Sequence, residues 1–240
     1  MMENDLNISQ HISKKFDQEL EDLRNLVLKM GGLVEQQVSN GLEALLNGDE
    51  QLAKKVIKRD KKVNALEVEV DERCTNILAR RQPAASDLRL IISIIKTITD
   101  LERMGDEAEK LAVSARTVVD STIGERQYRD LKSLGQLVKA NVKLTLDALA
   151  RLDYDEALAA MRADDEVNAE FENLSRLLVL KMMEDPRTIK DALTISYSAR
   201  ALERIGDHAK NICEYIIFLI KGKDIRHIAF DDIEDTIDDQ

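Results

Sequence analysis

The 240 residues carry 46 acidic against 35 basic side chains, a net charge of -11 with a pI near 4.9. That acidity excludes a general nucleic-acid binder and suits cation binding or plain solubility. Two prolines, nine glycines and 3% aromatics leave too little turn and strand material for a many-stranded protein, so the composition reads as all-α.

From about Leu6 to Leu46 apolar residues recur at helical spacing, with Phe16, Leu20, Leu23, Val27, Met30, Val34, Val38, Leu42 and Leu45 separated by charge. This is one very long helix, with a bend expected at Gly31-Gly32. Asn47-Gly48-Asp49 stops it and caps a second helix, whose inner stripe is Leu52, Val56, Val63, Leu66, Val70, Cys74 and Ile77. Pro83 ends that helix by forcing its predecessor out of helical geometry. Ser86 is the expected cap of a third helix running to about Val119. Residues 120–129 read as a connection, after which the pattern repeats. A fourth helix covers Tyr128 to Leu152, a fifth Asp155 to Met183, and a sixth, after Asp185-Pro186, Thr188 to Lys221. Beyond Ile225 acids accumulate and a poorly ordered tail is expected.

The expected architecture is therefore six helices in two pseudo-symmetric antiparallel three-helix bundles, over residues 6–122 and 126–222, with an acidic C-terminal tail at 223–240. Cys74 and Cys213 lie within apolar helical pattern without a Cys-x-x-Cys, which reads as two buried thiols in a reducing cytosol. The N-terminus lacks the order of a secretion signal, and no apolar run approaches the ~18 residues of a membrane span. A cytoplasmic protein is expected, able to sit at the inner membrane through partners.

Two copies of one motif stand out, Leu101-Glu102-Arg103-Met104-Gly105-Asp106 and Leu202-Glu203-Arg204-Ile205-Gly206-Asp207. Each puts Glu and Asp one turn apart on one helix face. A mid-helix glycine costs about 1 kcal/mol against alanine, so Gly105 and Gly206 imply that something approaches the backbone closely. Asp60 through Ala65 aligns with Asp164 through Ala169 at a shift of 104, and Glu102 with Glu203 at a shift of 101. Around the turn at Pro83, Asp60 and Asp106 are equidistant, as are Asn64 and Glu102. Around Asp185-Pro186 the same holds for Asp164 with Asp207 and Asn168 with Glu203. Each repeat thus sets an Asp-x-x-x-Asn against a Glu-x-x-x-Asp.

Three carboxylates and an amide oxygen at one place repel unless a cation or protons intervene, and oxygen donors favour magnesium, manganese or iron over zinc or copper. The alternative is a solvated acidic face with Arg103 and Arg204 as local counter-ions. Of the histidines His11, His208 and His227, none forms a Glu-x-x-His, and His208 beside Asp207 reads as a surface residue or a support rather than a ligand. No phosphate-cradling loop or nucleophile elbow is present, so no enzyme is expected. The rival is a carboxylate-bridged metal-binding helical protein with redox or metal-storage activity. A plain helical scaffold with empty acidic faces is the third reading.

Met30-Gly31-Gly32-Leu33-Val34-Glu35, the stretch Arg80 to Arg89, both Leu-Glu-Arg-x-Gly-Asp copies and Met182 to Thr188 resemble the bacterial PhoU family, and the likeness runs from Phe16 to His227. The resemblance implies two three-helix bundles, usually dimeric, in a negative regulator of phosphate uptake and of the phosphate-starvation response. It implies as partners the ATPase subunit of the phosphate ABC transporter and the sensor histidine kinase of that response. It also implies metal at acidic motifs, carried over to Glu102, Asp106, Glu203 and Asp207 and, by facing position, to Asp60 and Asp164. Where metal-rich members have a further acid, this chain has Asn64 and Asn168.

Overall fold

The computed structural model describes residues 14–118 and 125–238. Among them are seven α-helices and two single 3₁₀ turns, with no strand: α1 (Lys14–Asn47), α2 (Glu50–Arg81), α3 (Ala85–Val118), α4 (Glu125–Arg151), α5 (Tyr154–Glu184), α6 (Ile189–Lys221) and α7 (Ile233–Asp238). The expected start of the first helix between residues 6 and 13, residues 120–124 of the expected connection and the last two tail residues lie outside the described residues, while 125–129 of that connection already belong to α4.

The turns follow local chemistry. Gly48 takes a φ of 62° after α1, and Asp49 accepts from the amides of Gln51 and Leu52, both at 2.9 Å, to cap α2. The second repeat copies this with Leu152 at a φ of 52° and Asp153 accepting from the Glu156 amide at 3.0 Å. Gln82, in left-handed geometry at a φ of 45°, ends α2 just ahead of Pro83. Ser86 is not the cap of α3. The helix begins at Ala85, and the Leu88 amide already donates to the Ala84 carbonyl at 2.8 Å, because the chain re-enters helical geometry directly after the proline. Asp185 accepts from the Arg187 amide at 3.1 Å, and Pro186 opens a 3₁₀ turn, Pro186–Thr188, that leads into α6.

In each repeat three consecutive helices pack on one another, and the two repeats meet where α3 packs on α6 and α1 on α4. One continuous apolar cluster draws on all six long helices, from Phe16, Leu20 and Leu23 in α1 to Ile212, Ile216 and Ile217 in α6. The bundles therefore share a core.

The expected bend at Gly31-Gly32 is replaced by a packing role, since α1 continues as a single helix through both glycines. A Cβ at Gly31 would lie 2.9 Å from Leu146 Cδ2 of α4, and a Cβ at Gly135 of α4 would lie 2.5 Å from Leu42 Cδ1 of α1. Both partners are related by the shift of 104, so each repeat offers the other a leucine and receives one over a glycine.

The tail is also ordered further than its acidity indicates. Ile225 and Ile233 are each 1% exposed and belong to the main core. Phe230 lies under the Arg162 guanidinium at 5.2 Å, and Lys223 Nζ donates to the Thr236 carbonyl. The apolar residues spaced among the acids fold residues 225–237 back onto the bundle.

Candidate functional site

Asp60 of α2 is 6% exposed and points at α3 exactly where Gly105 has no side chain; a Cβ there would lie 3.3 Å from Asp60 Oδ1 and 3.6 Å from Val63 Cγ1. The helical glycine is thus explained by the facing helix, whose buried carboxylate needs the room. Gln37 of α1, fully buried, donates through Nε2 to Asp60 Oδ1 at 3.0 Å, and Asn64 Nδ2 donates to Asp60 Oδ2 at 3.2 Å. Two amides from two helices hold one carboxylate.

Around it the acids converge. Oxygens of Asp60, Asp106 and Glu109 all lie within 4.8 Å of one another. Glu102 is half-buried beside Asp106, and burial, then the Asp106 charge, raises its carboxyl above the usual range. Burial likewise raises Glu67 and Glu109, and Asp60 and Asp106 add to the effect on Glu109. Arg103 sits 3.5 Å from Glu102 and 3.6 Å from Asp106, an exposed counter-ion worth ~0–1 kcal/mol. Two acceptors, Gln37 Oε1 and Asn64 Oδ1, are buried without a partner. Unanswered oxygens beside three converging carboxylates fit a hard cation, and no nitrogen or sulfur donor is in the set.

The second repeat keeps the frame and changes the charge. Asp164 of α5 is 1% exposed and accepts from Asn168 Nδ2 at 3.0 Å, and a Cβ at Gly206 would lie 2.8 Å from Asp164 Oδ1. Lys210 Nζ stands 3.9 Å from Asp164 Oδ2. Burial raises the Asp164 carboxyl while Lys210 opposes the rise. Glu203 is paired with Arg200 at 2.9 Å and raised by burial and by Asp207, which is itself exposed. Among the described residues, Asp164, Glu203 and Asp207 form no convergent oxygen group of the kind made by Asp60, Asp106 and Glu109.

Two expectations about neighbours are corrected. The ion pair of Arg204 is not with Glu203 or Asp207 but across to α3, where its Nη1 lies 3.0 Å from the buried Glu107, although its charge still favours ionised Glu203. For His208 the surface alternative gives way, since the side chain is largely buried at the seam with its Nδ1 2.7 Å from Asp100 Oδ1, which also accepts from Asn211 Nδ2 at 3.1 Å. These pairs bind α3 to α6 because both helices turn one face to their own repeat and the other to the seam. Gln37, Glu109 and Lys210 are the residues that motif reading missed. Glu109 and Lys210 occupy one position at the shift of 101, three residues beyond Asp106 and Asp207, and extending the repeat comparison by a turn finds both. Gln37 was visible only as a polar residue on the inner stripe beside Val34 and Val38.

Against known proteins, the family model described as the PhoU domain matches residues 27–115 and 131–216. The chain is 48% identical over 235 residues to the phosphate-specific transport system accessory protein PhoU of Serratia marcescens, covering 97% of this chain and 95% of the relative. With the Escherichia coli K12 protein of the same description it shares 47% over 231 residues, covering 95% of each. The crystal structure of PhoU from Pseudomonas aeruginosa superposes with a TM-score of 0.84 at 48% identity, covering 87% of this chain and 100% of that one. The phosphate transport system regulatory protein PhoU from Streptococcus pneumoniae gives 0.80 at 30% identity, covering 87% and 98%. In sequence and in fold, this chain belongs to the PhoU family.

Proposed function

We propose that this chain is a regulatory accessory protein of phosphate-specific transport, restraining phosphate uptake and the phosphate-starvation response without turnover of its own. The observation that carries this reading is likeness along nearly the whole chain to relatives described as accessory proteins of that system. In finer terms it acts as an adaptor, a homodimer in the cytoplasm that contacts the ATPase subunit of the phosphate ABC transporter and the sensor histidine kinase of the response. No helix among the described residues is long and apolar enough to cross a membrane, which favours an approach to membrane complexes through partner surfaces. Exposed apolar side chains along α5 and α6, Met183 at 76% and Tyr197 at 70% foremost, support a docking role.

The acidic faces are cation sites in this reading. Asp60, Asp106 and Glu109 would hold a magnesium, manganese or iron ion in the first repeat with Glu102 and Asn64 beside them; Asp164, Asn168, Glu203 and Asp207 occupy the corresponding positions in the second. The chemistry supplied is charge neutralisation, which lets carboxylates of two helices stay close and stiffens α2 against α3. The test is genetic. Cells lacking the gene are expected to express alkaline phosphatase in high phosphate and to regain repression with the intact gene; normal repression in the deletion strain refutes the reading.

A further inference from the structure

Around the buried aspartate the two repeats keep the same frame of residues but not the same charge. Asp60, Gly105 and Asp106 have counterparts in Asp164, Gly206 and Asp207, but the position three residues further along the third helix is Glu109 in one repeat and Lys210 in the other. The Lys210 ammonium is 3.9 Å from the buried Asp164 carboxylate. On the first side, oxygens of Asp60, Asp106 and Glu109 lie within 4.8 Å of one another, a spread that fits donors sharing one ion at ~2.0–2.6 Å. An independent mark points the same way. Gln37 is 0% exposed, its Nε2 is committed to Asp60, and its Oε1 has no partner while lying 3.8 Å from the Cβ position of Gly105, beside Asp60 Oδ1. A buried carbonyl oxygen aimed at a carboxylate cluster is an acceptor waiting for a positive group. In the second repeat the shift of 104 puts Asn141 in place of Gln37.

Resting on the reading of the acidic faces as cation sites, we infer that the protein takes up a divalent cation in the first repeat only, and that Lys210 is the built-in substitute for that ion in the second. The ammonium supplies the charge that the metal supplies next door, and it repels an incoming ion. Cation supply therefore alters the α2–α3 half of the molecule and leaves the α5–α6 half unchanged, so that a symmetric scaffold responds asymmetrically.

The test uses the full chain, stripped with chelator and titrated with manganese, with bound metal counted by elemental analysis and the titration followed by calorimetry. One equivalent is expected. Glu109→Lys is expected to weaken that equivalent roughly tenfold or more, because one anionic ligand becomes a cation. Glu109→Gln, which keeps the shape, is expected to weaken it less. Lys210→Glu is expected to raise the count to two. Circular dichroism of each variant checks that the helices remain, and manganese-dependent thermal stabilisation gives a second readout. Two equivalents in the unaltered protein overturn the asymmetry and leave the cation reading standing. No manganese bound by the unaltered protein or by Lys210→Glu overturns the cation reading itself. One equivalent that survives Glu109→Lys and disappears in Asp164→Asn overturns the assignment of the repeat.

Discussion

The contact of Gly135 with Leu42 allows a stability prediction to be worked from distances. A Cβ on Gly135 would lie 2.5 Å and 2.6 Å from the two Leu42 methyls and 3.1 Å from Cγ, and Leu42 is 4% exposed within the core. Gly135→Ala gains about 1 kcal/mol of helix propensity and loses about 1–3 kcal/mol to overpacking, a net cost of up to ~2 kcal/mol. Leu42→Ala removes the knob and costs about 2–5 kcal/mol through burial and cavity terms. In the double variant the added methyl falls where the leucine methyls were. The clash disappears, and about one buried methyl, ~0.8 kcal/mol, is restored. The two changes should therefore couple favourably by about 2–3 kcal/mol in urea unfolding followed by circular dichroism. Additivity within about 0.5 kcal/mol refutes the reciprocal packing of α1 and α4. The counterpart Gly31 with Leu146 should couple less, because only one methyl comes to 2.9 Å and the next atoms lie at 3.9 Å.

Gly206→Ala should destabilise more than Gly105→Ala, since the closest carboxylate oxygen is at 2.8 Å in one case and 3.3 Å in the other, and a reversed order in thermal unfolding contradicts the packing reading. Chelator-treated protein should become more heat-stable as pH falls from neutrality toward the ordinary carboxylate range: Glu67, Glu102, Glu109 and Glu203 are raised in the fold, so there the native chain holds more protons than the unfolded one and that stability is lost as pH rises through the raised values. A flat or opposite trend in melting temperature rejects the buried-acid picture. Gln82→Gly should stabilise by about 0.5–1 kcal/mol by relieving a side chain at a φ of 45°, and a loss of stability in chemical denaturation counts against that strain. Ile233→Ala should cost about 2 kcal/mol if the tail is bound as described, whereas an unchanged unfolding midpoint means that it is not.

Helices are local objects, and their apolar stripes and stop residues were legible in the chain almost to the residue. The pairing of Asp60 with Asp106 was legible too, because two antiparallel helices around one proline meet at equal distances from it, and the converging oxygens agree. What could not be read depends on register between elements without a shared turn. Gln37 reaches Asp60 from α1, Arg204 crosses from α6 to Glu107, and Leu42 finds Gly135 across the repeats, and no periodicity within one helix carries those distances. Glu109 was missed for a different reason. It lies one turn beyond Asp106, outside the repeated Leu-Glu-Arg-x-Gly-Asp, and its counterpart Lys210 breaks the likeness of the two copies there. The tail was misread because acids dominated its composition while Ile225 and Ile233 decided its fate.

The exchange of leucine for glycine across the repeats has the form of an isologous contact, in which patch i meets patch j and j meets i, as between subunits of a twofold dimer. Covalent linkage of two such units frees their sequences to diverge while the contact keeps them in register. A true dimer must carry the same residue at both equivalent positions, so each of its two sites would have the glutamate. One chain holding both halves can let one repeat keep the acid and the other adopt the base, which no symmetric pair of identical subunits can do.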